Sequence, residues 1–199
     1  MSLWRGEPLI LASKSEVRRK LLEAAAIPVA IDPAGIDERA IEAKNEGLGP
    51  DDAALLLARE KALATARRRP GIVLGADQTL ALGERRFSKP ANSAAAREQL
   101  MALSGRTHAL HSAAAVARDG KIVFEAVSTA RLSMRPLPDE FLDAYLANAG
   151  ERVTHSVGAY QLESLGVHLF DKIDGDHFTV LGLPLLKLLA YFREARLLS

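Results

Sequence analysis

Apolar residues along the chain fall into short continuous runs and into longer stretches with helical spacing. The run at 72–82, Ile-Val-Leu-Gly-Ala-Asp-Gln-Thr-Leu-Ala-Leu, is bounded by Pro70-Gly71 and Gly83. A run of this length predicts a strand buried on both faces. Residues 9–12 predict a second buried strand. Residues 16–26 set Val17, Leu21 and Ala25 on one face and predict a helix, with Ser13 and Ser15 as natural N-caps. Residues 53–69 predict a long helix, capped by Asp51 and Asp52 and stopped by Pro70-Gly71. The polar, glycine-containing residues 41–50 before it predict a mobile loop. Downstream come a return strand at 86–90 and a helix at 92–103. A hairpin follows, with strands at 108–117 and 122–134 around Asp119-Gly120. Pro138-Asp139-Glu140 opens a helix that ends at 148–150, and small residues mark a loop at 156–166. A strand at 167–173 precedes a terminal helix begun by Pro184, with Leu185, Leu188, Leu189 and Phe192 as its buried stripe. Helices alternating with strands, plus one hairpin, predict an α/β fold with a mixed sheet, elongated with a cleft.

Length and composition narrow the classes. The 199 residues supply ample material for a core, and no repeat, low-complexity tract or linker divides them, so 1–199 reads as a single domain. A net charge of +1 gives no bulk attraction to nucleic acid or membranes, so any anion binding has to be local. The absence of Cys excludes disulfides, thiolate metal sites and Cys nucleophiles. The apolar run at 9–12 is too short for a signal peptide or a membrane span, which predicts a cytoplasmic protein.

Within the apolar run, Asp77 is the anomaly. A bare carboxylate there costs several kcal/mol unless it is paired, protonated or bound to a cation. Gly75 and Ala76 beside it leave room for another backbone or a ligand. The plainer reading is a loop cap or a core Arg partner. Arg18 and Arg19 sit in the opening turns of a helix, against the dipole preference. An anion held by helix N–H groups, Ser hydroxyls and a guanidinium accounts for that placement; a solvated basic turn is the alternative. Asp37-Glu38, after a Pro/Gly loop, suits a divalent cation or a helix N-terminus. Lys61 shares an apolar stripe with Leu57 and Ala64, where it either snorkels or reaches phosphate. Lys89 stands at a strand edge. The five His lack HExxH spacing and read as structural or surface residues. No P-loop, dinucleotide fingerprint or GxSxG elbow is present. Ser13, Arg18, Lys61 and Lys89 for phosphate oxygens, with Glu38 and Asp77 for a cation or water, match phosphoanhydride hydrolysis.

Seven motifs in order extend that match. They are Leu-Ala-Ser-x-Ser…Arg-Arg at 11–19, Asp37-Glu38, Ala58-Arg59-Glu60-Lys61, Gly75-Ala76-Asp77, Lys89-Pro90, Leu103-Ser104-Gly105-Arg106-Thr107 and Val180-Leu181-Gly182-Leu183-Pro184. Together they resemble the Maf family of nucleoside triphosphate pyrophosphatases, historically linked to septum formation, from Leu9 to Leu189. The resemblance implies an elongated α/β fold of two lobes around a central sheet, with substrate in the cleft. It implies cleavage between the α and β phosphates, with Asp77 catalytic. It implies phosphate binding by Ser13, Arg18, Lys61 and Lys89, and a metal site of Glu38 and Asp77 for a divalent cation, magnesium with manganese as the alternative. The partner implied is the nucleotide, without nucleic acid or membrane, and a homodimer stays open. Where many members have Ser-Pro-Arg-Arg, this chain has Ser15-Glu16-Val17-Arg18, so Val17 replaces the first Arg. Gln78 and Glu163 resemble the branch acting on 7-methyl-GTP rather than dTTP and UTP. A carboxylate there accepts from guanine N1–H and the 2-amino group and complements the methylated base's positive charge. A dTTP/UTP pyrophosphatase, or a nucleotide-binding regulator of cell division with little turnover, are the alternatives.

Overall fold

In a computed structural model, which describes residues 3–199, the apolar runs form strands and the periodic stretches helices. The elements follow in the order β1 (Leu9–Leu11), α1 (Glu16–Ala24), β2 (Val29–Ile31), α2 (Glu38–Lys44), α3 (Pro50–Ala66), β3 (Ile72–Leu82) and β4 (Arg85–Phe87). Then come α4 (Ser93–Leu103), β5 (Thr107–Arg118), β6 (Lys121–Met134), α5 (Asp139–Ala149), β7 (Phe170–Asp174), α6 (His177–Val180) and α7 (Leu185–Glu194). Short 3-10 turns occupy the stretch between α5 and β7. The strands form a seven-stranded sheet in the order β2-β1-β3-β5-β6-β7, with β4 on β3. β1 is parallel to β2 and β3, whereas β4 on β3 and β7 on β6 are antiparallel, so the fold is mixed α/β. The chain divides into two compact units interleaved in sequence. The first takes the chain up to Gln78 with His111–Ser128 and His177–Ser199; the second takes Thr79–Leu110 and Thr129–Asp176.

In the first unit the strand pleat sorts the core onto two faces. Leu9, Leu11, Leu74, Ala76, Ala114 and Val116 join Leu22 of α1 and Leu188 and Phe192 of α7. Ile10, Ala12, Val73, Ala113 and Ala115 face Ala54, Ala58 and Ala62 of α3 instead. The second face is nearly all alanine because α3 lies close against the strands. Two sequence expectations are corrected here. Part of the stretch read as a mobile loop, 41–50, is helix α2, whose cap is the Asp37 side chain accepting from Ala40 N at 3.0 Å. The long helix starts earlier than Asp51-Asp52, with Gly49 as its cap residue and Pro50 in the first turn.

The second unit is built on α4, α5 and an aromatic cluster. His108 Nε2 lies 2.7 Å from the Tyr160 hydroxyl, and the Tyr160 and Phe170 rings meet edge to face at 4.8 Å. Gly158 has φ +78, and a Cβ there would stand 2.6 Å from Leu80 Cδ1, which explains the glycine in this loop. His108 is buried, its Nδ1 lacks a hydrogen-bond partner among the described residues, and burial pushes its pKa down to about 4. Unfolded, a His titrates near 6.5. The unfolded chain therefore binds the proton first, so this group leaves stability intact above pH 6.5 and lowers it as pH falls toward 4. The linkage amounts to about 2 kcal/mol between pH 7 and 5. Urea unfolding at the two pH values should show this loss, and His108→Phe should remove most of it. A wild-type stability that stays flat over that range contradicts the assignment.

Candidate active site

The site is set by how closely α3 approaches β3. Val73, Gly75 and Asp77 fall on the strand face turned to that helix. A Cβ at Gly75 would lie 2.0 Å from Ala58 O and 2.6 Å from Ala62 N, so only glycine permits the contact. One turn along, the buried Lys61 ammonium donates to Asp77 Oδ1 at 2.6 Å. It also meets Glu38 Oε1 at 3.0 Å, with the Glu38 side chain 48% exposed. Glu38 is the first residue of α2, and the segment leading to α2 is tied back to α3. Arg68 donates to Asp32 Oδ1 and Pro33 O, both at 2.6 Å, and Thr65 Oγ1 donates to Asp32 O at 3.2 Å. Helix α3 thus carries the lysine, and Thr65 with Arg68, just past its C-terminus, anchors the segment that leads to the second carboxylate.

Arg18 is held by its neighbours. Its Nε donates to Gly182 O at 2.8 Å, and its Nη1 donates to Ala76 O at 2.9 Å and to Ser13 Oγ at 3.3 Å. Burial pulls its pKa below the usual guanidinium value, opposed by the charges of Asp77 and Glu38. Ser15 caps α1 by accepting from Arg18 N at 3.3 Å, and Ser13 Oγ accepts from Ser15 N at 3.2 Å. These groups lie just past the C-terminal end of parallel strand β1, the place where open α/β sheets bind ligands.

The structure therefore brings Ser13, Arg18, Glu38, Lys61 and Asp77 together in the first unit. Val17 sits half-buried in the first turn of α1. Lys89 and Glu163 are both exposed and belong to the second unit. Gln78 follows Asp77 but, by the pleat, leaves the strand on the opposite face. Its Nε2 contacts Ser112 Oγ at 2.9 Å, Thr179 O at 3.0 Å and Val180 O at 3.1 Å. Sequence reasoning did not anticipate Ser112, Thr65, Arg68 or the Gly182 carbonyl. Gly182 does stand inside a quoted motif, and its φ of +94 explains the glycine.

Two carboxylates from different elements converge on one positive charge. That oxygen donor set fits a magnesium-type cation, which commonly takes one or two carboxylates and completes its shell with water and substrate phosphate. Among the described residues no group of three or more His, Cys, Asp or Glu is placed to hold a metal. Also among them, no helix is long and apolar enough to cross a membrane.

Known proteins extend the comparison to the whole chain. A protein of Bradyrhizobium diazoefficiens, "Nucleoside triphosphate pyrophosphatase", is 58% identical over 201 residues, covering 100% of both chains. One of the same name from Rhodopseudomonas palustris is 56% identical, also over 100% of both. The "7-methyl-GTP pyrophosphatase" of Mesorhizobium japonicum is 50% identical over 94% of this chain and 96% of its own. Among solved structures, the Staphylococcus aureus Ham1 protein aligns with 13% identity and a TM-score of 0.46, over 96% of this chain and 100% of its own, too loose a likeness to bear on function. The family model described as "Maf-like protein" matches residues 8–195, and with it the chain belongs to the Maf family.

Proposed function

We propose that the chain hydrolyses a nucleoside triphosphate between the α and β phosphates, giving nucleoside monophosphate and pyrophosphate, with 7-methyl-GTP as the substrate. In reaction class the chain is a nucleoside triphosphate pyrophosphatase, a hydrolase. The observation that carries the site reading is the Lys61 ammonium between Asp77 and Glu38, buried beside the Arg18 guanidinium. A protein that merely bound phosphate would gain nothing from two carboxylates there.

Asp77 takes a proton from the attacking water through the oxygen that Lys61 does not hold. The water oxygen bonds to the α phosphorus, and the bridging oxygen departs with pyrophosphate. Lys61, Lys89 and Arg18 neutralise phosphate charge, and the Ser13 hydroxyl donates to a phosphate oxygen. Glu38 and Asp77 would hold a divalent cation, magnesium or alternatively manganese, which supplies further neutralisation of phosphate charge.

Support for the base comes from the 50% identical relative named for 7-methyl-GTP and from the carboxylate at Glu163. Val17 and Gln78 complete the proposed specificity set. Pyrophosphate release with magnesium against 7-methyl-GTP, dTTP and UTP tests the reading. The wild type should favour 7-methyl-GTP, and Glu163→Gln should lower that activity about ten- to a hundredfold, the value of one charge-assisted hydrogen bond. A wild type preferring dTTP or UTP overturns the substrate. Equal losses on all three nucleotides would show that Glu163 does not read the base.

A further inference from the structure

We propose that Ser112 is a positioning residue for base selection, acting through Gln78. This rests on the nucleotide pyrophosphatase reading above and deepens it. Ser112 lies on β5 and is fully buried. Its hydroxyl donates to Thr179 O at 2.7 Å, which turns a lone pair to Gln78 Nε2 at 2.9 Å. The same nitrogen faces Thr179 O at 3.0 Å and Val180 O at 3.1 Å. Three oxygen acceptors therefore surround one end of the carboxamide. A flipped amide would set its own oxygen against the two carbonyls, with no donor for either contact, so this surrounding fixes which end is which. Oε1 is consequently the end turned away, on the side of Gly182, where a Cβ built on that glycine would stand 3.7 Å from it.

That side also carries Arg18, whose Nε holds the Gly182 carbonyl and whose Nη1 holds Ala76 O, next to Asp77. One turn of chain at 179–182 thus ties the Gln78 amide to the arginine of the phosphate site. Gln78 is half-buried, so its oriented oxygen is available as an acceptor. An acceptor suits a base edge rich in donors, such as guanine with N1–H and the 2-amino group, over a pyrimidine with a single N3–H. Ser112 never touches the nucleotide; it holds the residue that does.

Steady-state pyrophosphate release on 7-methyl-GTP and dTTP, with thermal melting of each variant, tests this. Ser112→Ala should lower the ratio of kcat/KM for 7-methyl-GTP to that for dTTP about three- to tenfold, mainly through KM, the span of one neutral hydrogen bond. Ser112→Thr keeps the hydroxyl and should restore the ratio. Gln78→Met should show at least as large a loss, and adding Ser112→Ala to it should change the ratio no further, because the serine acts only through the glutamine. A ratio unchanged in Ser112→Ala overturns the proposal, as does a parallel loss on both substrates with a lowered melting temperature. Additive effects in the double variant overturn it as well. A wild type that releases pyrophosphate from neither nucleotide removes the underlying reading and this inference with it.

Discussion

Asp77→Asn is expected to lower pyrophosphate release by about a thousandfold or more while the protein stays folded. A positioned general base contributes roughly 10²–10⁴ in rate, and loss of the charge facing Lys61 adds to that. Asparagine keeps the size of the side chain and leaves an oxygen able to accept from Lys61 Nζ, now 2.6 Å from Asp77 Oδ1. It cannot take a proton from water. Removing one member of a buried ion pair normally destabilises by about 3–5 kcal/mol, because the other charge is left unpaired. Here Glu38 Oε1 remains 3.0 Å from the ammonium, so the loss should fall below that range. Circular dichroism and thermal melting establish that the variant is folded; the rate is then read directly. A folded variant with near wild-type turnover would remove Asp77 from the chemistry.

Gly75→Ala should be among the most damaging single-methyl changes in the chain. The new Cβ would meet backbone atoms of α3, at 2.0 Å from Ala58 O and 2.6 Å from Ala62 N, and no side-chain rotation relieves either clash. Helix and strand have to separate. Overpacking of this kind costs about 3 kcal/mol or more, which for a chain of this length lowers Tm by roughly 6–12 °C. Because α3 carries Lys61 and β3 carries Asp77, turnover should fall together with stability, even at temperatures where the variant remains folded. Melting and pyrophosphate release measured on the same preparation check both. An unchanged Tm would mean that the helix yields without strain, and that the glycine does not set the geometry of the site.

Much of this arrangement is legible in the chain itself, and the exceptions have physical causes. The run at 72–82 forms β3 over the same residues because burial on both faces leaves no other use for it. Asp77 stands out because a carboxylate in that setting needs a partner, and the partner is Lys61, sixteen residues earlier on the facing helix. Helix α2 is half legible: Asp37-Glu38 reads correctly as a helix N-terminus, but the helix buries no residue and shows no apolar stripe, so its continuation past Ile41 passes for loop. Adjacency of Gln78 to Asp77 in sequence suggests a shared direction, but the pleat sends the two side chains to opposite faces. The contacts of Arg18 are out of sequence range, since Gly182 lies 164 residues away and Ala76 lies 58 away. Its charge suggested an anion, whereas in the fold three of its contacts also fasten strand, loop and turn around the site.

The most direct test of the central claim is the identity of the products. Wild-type protein incubated with 7-methyl-GTP and magnesium, followed by phosphorus NMR, separates the two possible cleavages. Cleavage between the α and β phosphates predicts 7-methyl-GMP and pyrophosphate in equal amounts, with no orthophosphate. Orthophosphate with 7-methyl-GDP would place the attack at the terminal phosphate and contradict the account, as would an unchanged triphosphate spectrum across 7-methyl-GTP, dTTP and UTP.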